Sequence, residues 1–118
     1  MKRINIDYIQ DILDSIHTIE KYVPQNISYE DFIQDERNYH TVIRMFEIIG
    51  EACNKISDDI KEKYPEIPWR DIIGMRNKII HQYFGVNPVI IWKAALEDVP
   101  EFKNFMAKLM NEIEDENI

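Results

Sequence analysis

Residues 42–53 read Val42-Ile43-Arg44-Met45-Phe46-Glu47-Ile48-Ile49-Gly50-Glu51-Ala52-Cys53. Val42, Met45, Phe46, Ile49, Ala52, Cys53 and then Ile56 return every three or four positions, the period of one helical face. Charged side chains fill the intervals. The spacing predicts a long amphipathic helix from about Asp35 to Ile56, with a stripe that must be covered by other helices.

The same period extends in both directions. Ile9, Ile12, Leu13, Ile16 and Ile19 mark a helix over Ile4 to Val23, which Pro24 ends. Ser28 and Asp31 have the spacing of a capping box, opening a short helix with Phe32 and Ile33. Ser57-Asp58-Asp59 breaks the chain, and Ile60 to Tyr64 supply one or two further turns. Pro68 suits the first turn of a helix over Trp69 to Gln82, with Ile72, Ile73, Ile79 and Ile80, and Gly85 stops it. Asn87-Pro88 begins another helix, Pro100 restarts it, and Phe102, Phe105, Met106, Leu109 and Ile113 form its last apolar stripe. No strand alternation, repeat or low-complexity linker intervenes. The expectation is an all-α, up-and-down bundle of four to five main helices with short connections, one domain over residues 1–118.

Composition narrows the class. Cys53 stands alone, so no internal disulfide and no cysteine-based zinc site is expected. The N-terminus has no apolar run after its charges, and no stretch nears the roughly 20 apolar residues of a membrane span. A soluble, cytoplasmic protein is expected. The net charge of −8 has the wrong sign for a nucleic-acid binder. Its distribution is uneven, however. From Lys61 to His81 five basic side chains face three acidic ones, leaving nine against nineteen elsewhere.

That less acidic region holds Arg76-Asn77-Lys78-Ile79-Ile80-His81-Gln82-Tyr83. On a helix advancing about 100° per residue with Arg76 at zero, Asn77 lies at about 100°, His81 at about 140° and Tyr83 at about −20°. Asn77 and His81 are neighbours, Arg76 and Tyr83 share an adjacent stripe, and Met75 and Ile79 face away. Histidine moves protons near neutral pH, the arginine fork matches a phosphate, and an amide orients an oxygen without competing for protons. These are parts for cleaving RNA through its own 2′-hydroxyl, without a metal or other cofactor. One histidine cannot serve both ends of an in-line displacement, but a two-fold dimer would bring a second. Taken as spacing alone, a solvated arginine and a half-packed histidine explain the same residues.

The run Trp69 to Gly85 resembles the signature of the HepT-like family of the HEPN superfamily: an arginine, a polar neighbour, and a histidine five after the arginine followed by x-Tyr. Ile48-Ile49-Gly50-Glu51-Ala52 and Tyr64-Pro65-Glu66-Ile67-Pro68-Trp69 are similar to that family as well. The resemblance implies a dimeric HEPN bundle acting as the ribonuclease toxin of a type VII toxin–antitoxin pair. It implies that Arg76, Asn77 and His81 are catalytic, and that an MntA-like nucleotidyltransferase antitoxin transfers AMP to Tyr83. Adenylate there would fill the phosphate site and repel RNA.

Other residues carry weaker expectations. Glu51 is a candidate brace for Arg76, or an ordinary surface acid. Arg70 and Lys78 flank the site and are candidates to hold the RNA backbone, or solvated surface. His17 and His40 lack a second ligand at i+4 and read as surface or partly packed, and Trp69 and Trp92 read as core or interface anchors. The acidic balance keeps an alternative open, a non-catalytic partner-binding subunit of a minimal nucleotidyltransferase.

Overall fold

The structure, a computed structural model, describes residues 2–82 and 86–116. Among the described residues seven α-helices follow in order: α1 (Lys2–Tyr22), α2 (Tyr29–Gln34), α3 (Glu36–Lys55), α4 (Asp58–Lys63), α5 (Trp69–His81), α6 (Pro88–Lys93) and α7 (Val99–Glu116). No strand occurs among the described residues. The all-α bundle read from the periodicity is the fold of this chain, with α1, α3, α5 and α7 as its long members.

Helix α3 is the hinge of the packing. It lies against α1 on one side and α5 on the other, and α1 in turn carries α7. Its stripe is buried through Val42, Ile43, Phe46, Ile49, Ala52 and Cys53, and Ile9, Ile12, Ile16 and Ile19 of α1 meet it with no exposed surface. Each fully buried side chain of this size contributes roughly 1.5–3 kcal/mol of transfer free energy. Burial also pushes the Cys53 thiol up to about 12, only partly opposed by the charge of Lys61. Cys53 is therefore a packing residue and not a nucleophile.

The ends are set by local chemistry. Ser28 accepts from the Asp31 amide at 3.1 Å, as its spacing predicts. Asp35 terminates α2 and caps α3 in the same residue, accepting from the Asn38 amide at 3.1 Å. Ser57 heads α4 without a side-chain cap of its own. Its backbone N–H instead donates to Oδ1 of the buried Asn5 (3.1 Å), and Asn5 Nδ2 donates to Ser57 Oγ (3.3 Å). That pair ties the start of α1 to the α3–α4 turn. Both tryptophans are anchors, as expected: Trp69 Nε1 donates to the Tyr64 carbonyl (3.1 Å) and Trp92 Nε1 to the Ile27 carbonyl (3.2 Å).

Three boundaries differ from the sequence reading. Pro68 sits at the N-cap of α5, one position before the first turn. Helix α5 closes at His81, with Gln82 as its cap. Pro100 does not restart a helix either. The chain stays helical from Pro88 to Glu116, with Ala94–Asp98 wound as a π-helix between α6 and α7. Proline lacks the N–H that would serve the carbonyl four residues before it, and its ring crowds that turn. A wider π turn relieves the crowding, and the Leu96 carbonyl accepts from Gln25 Nε2 at 3.3 Å instead. The stop expected at Gly85 lies outside the described residues.

Candidate active site on helix α5

Helix α5 presents two unlike flanks. Ile79 is buried at 1% exposure, whereas its neighbour Ile80 is 45% exposed. Arg70, Gly74, Asn77 and His81 are exposed on the same side as Ile80. The helix therefore keeps a polar, uncovered face after packing, as its hydrophobic pattern requires.

Arg76 sits at the edge of that face and is half-buried. Its Nη1 donates to Asn77 Oδ1 at 2.9 Å, and its Nε is enclosed without a hydrogen-bond partner among the described residues. Adjacent helical residues point about 100° apart, so only the length of the arginine side chain lets it curl onto its neighbour. The spacing rule paired Asn77 with His81. The hydrogen bond that forms joins Asn77 to Arg76, and the periodicity held no sign of it. Asn77 still has its amide N–H₂ group free to donate outward. His81 is exposed at the last position of α5, one turn beyond Asn77 on the same face.

The flanking candidates Arg70 and Lys78 are both exposed, and they line one hollow beside the Asn77 face together with Gly74, Ile90 and Lys93. The Glu51 carboxylate pairs with Lys55 at 3.5 Å, and no ion pair between Glu51 and Arg76 occurs among the described residues. Lys55 is one turn away along α3 from Glu51. Tyr83 lies outside the described residues. His17 and His40 are exposed, as expected. No cluster of His, Cys, Asp or Glu able to hold a metal ion occurs among the described residues.

A groove of about 390 Å³ runs over α3 between α5 and α7, on the opposite flank of α5 from Asn77 and His81. Phe46, Ile72, Met75, Phe102 and Phe105 line it, with Asp71, Asp98 and Glu101 at its edges. Desolvation raises the Asp98 carboxyl above its ordinary range, and the neighbouring Glu97 and Glu101 raise it further. The groove offers apolar surface and negative charge, which is unsuited to holding a phosphate chain.

The fold and this face together define an all-helical protein with an arginine–amide–histidine constellation on one helix. The profile of the family described as Ribonuclease HepT-like matches residues 12–109. A protein of Thermococcus cleftensis named "Probable ribonuclease HepT" is 46% identical over 92% of this chain and 98% of its own length. Two proteins of Methanocaldococcus jannaschii, each named "Putative RNase", are 43% and 41% identical, over 93% and 92% of this chain and 92% of their own lengths. No solved structure matches. The chain belongs to the HepT-like ribonuclease family. No helix among the described residues is long and apolar enough to cross a membrane.

Proposed function

We propose that this protein is an endoribonuclease that cleaves RNA through the 2′-hydroxyl, with a composite site of Arg76, Asn77 and His81 at a homodimer interface. One His81 accepts the proton of the 2′-hydroxyl as its oxygen attacks the adjacent phosphorus. The P–O5′ bond breaks, and the second chain's histidine delivers a proton to the departing 5′ oxygen. The products are a 2′,3′-cyclic phosphate and a 5′-hydroxyl end, with no metal required. Arg76 offsets the charge that gathers on the phosphorane oxygens, Asn77 holds the arginine and donates its amide to the substrate, and Arg70 and Lys78 hold the flanking backbone.

The observation that carries this reading is the uncovered polar face of α5. Arg76 is held by Asn77 at 2.9 Å, and His81 is exposed a turn further on, in a chain of a ribonuclease family. The exposed Ile80 between them supplies apolar surface for a second copy. The direct experiment is cleavage of a labelled RNA by the purified protein in EDTA, with the ends identified by mass. Linear 3′-phosphate or 3′-hydroxyl ends from the earliest time points, or loss of cutting on chelation, would sink the mechanism.

In the cell the activity makes the protein the toxin of a type VII toxin–antitoxin pair, with an MntA-like nucleotidyltransferase as antitoxin. AMP transferred to Tyr83 silences the site, because a bulky anion beside Arg76 competes with the RNA phosphate. Incubation with that enzyme and ATP adds one or more AMP masses to the wild type and none to Tyr83→Phe. A second reading is favoured by the net charge of −8: a non-catalytic subunit that binds a nucleotidyltransferase through the same face. Growth of cells expressing each partner alone distinguishes the two, since only the first makes this chain toxic by itself.

A further inference from the structure

We propose that Gly50 is a positioning residue for Arg76: by lacking a side chain it lets the arginine stem lie directly on α3, and this sets where the guanidinium stands. The proposal rests on the reading above that Arg76 meets the RNA phosphate.

Gly50 is buried in α3, where α5 crosses it. A Cβ placed there would overlap the Arg76 Cβ, stand 2.8 Å from its Cγ and 3.3 Å from the Ile72 carbonyl oxygen. Those arginine atoms are the root of the side chain. The Cβ is fixed by the backbone, so it gives way only if α5 moves off α3, and that displaces the guanidinium. Gly74, the glycine of α5, is a contrast, because a Cβ there meets nothing within 4 Å. Only at Gly50 does a described neighbour require the missing side chain.

The far end of Arg76 is held too. Nη1 is bound to Asn77 Oδ1, and Nε is enclosed without an acceptor. An enclosed, unpaired N–H disfavours this placement, so packing of the stem, not hydrogen bonding at Nε, keeps the arginine there. With the stem fixed by α3 and the tip by Asn77, the guanidinium's remaining N–H groups are directed before substrate arrives. Displacement of such a group by about 1 Å costs on the order of 10²-fold in rate.

The test compares wild type, Arg76→Ala, Gly50→Ala and, as a packing control in the same helix, Ile49→Val. Cleavage is measured on RNA, and binding on an uncleavable fluorescent 2′-O-methyl RNA across a salt series. Gly50→Ala should track Arg76→Ala: cleavage lower by about 10²-fold, and a log–log salt slope shallower by about 0.7, the loss of one phosphate contact on a single strand. Added to Arg76→Gly, which removes the Cβ that the new methyl would meet, it should change neither quantity further. Ile49→Val should lower the melting temperature while both stay at wild-type values. Wild-type cleavage or an unchanged slope in folded Gly50→Ala overturns the proposal. If Arg76→Ala itself changes neither, the ribonuclease reading of Arg76 falls first and the positioning role goes with it. Should Gly50→Ala fail to fold, the pair Gly50→Ala/Arg76→Gly decides. Recovery of the fold ties Gly50 to the arginine stem, and continued failure assigns it to general packing and overturns the proposal.

Discussion

His81→Ala separates chemistry from packing in one substitution. The imidazole is exposed at the end of α5, and no hydrogen bond holds it among the described residues. Its loss should change stability by no more than about 0.5 kcal/mol, about 2 °C in melting temperature for a chain of this size. Ile79→Ala, two positions earlier and 1% exposed, should cost about 2–5 kcal/mol and serves as the reference for a true core residue. Cleavage should respond in the opposite order. Removing the group that moves both protons costs at least about 10²–10⁴-fold, while folded Ile79→Ala retains its rate. The two-fold site adds a quantitative signature. When wild type and His81→Ala are mixed in equal amounts and exchange freely, only about a quarter of the dimers keep both histidines. Activity should then fall with the square of the wild-type fraction. Thermal melts by circular dichroism, a fluorogenic RNA in EDTA and the mixing curve make up the assay. A linear mixing curve would refute the composite site. Full activity in His81→Ala, or collapse of its fold, would refute the reasoning altogether.

Three other outcomes follow from particular contacts. Ile80→Ala should leave the melt within about 0.5 kcal/mol of wild type and weaken self-association by about tenfold; unchanged sedimentation would remove Ile80 from any dimer interface. Asn5→Ala strands the Ser57 amide and should cost about 1–3 kcal/mol in urea unfolding, so a smaller loss would mean water replaces the bond. Cys53 is raised in the folded state from the ordinary 9.0 to about 12, so the folded protein keeps a proton that the unfolded chain gives up. Its contribution is intact below pH 9 and is lost as pH rises from 9 towards 12, by about 1.4 kcal/mol per unit. Comparing denaturation of wild type and Cys53→Ala from pH 8 to 10.5 isolates that slope, and identical pH dependence would contradict it.

Periodicity by itself determined the helices, because burying a stripe is the only way such a sequence satisfies its apolar side chains. Val42 to Ile56 and Ile9 to Ile19 show this, and their stripes are the core. Spacing also marked the α5 face, since a turn of helix brings Asn77 and His81 to one side whatever packs behind them. The cap signal at Ser28 lay in the sequence because it acts over three residues. What happens at Pro100 did not. A proline reads locally as a break, and only the partner that takes up the Leu96 carbonyl, Gln25 from 71 residues earlier, lets the helix continue. Glu51 likewise was a candidate brace until its reach to Lys55 was on hand. Arg76 is the clearest division. Its identity and period were plain in the chain, but its placement comes from a glycine on another helix and an amide beside it. Local period follows from backbone geometry, which each segment carries with it. The position of a side chain in a site follows from which surfaces meet, and that is a property of the packed tertiary structure.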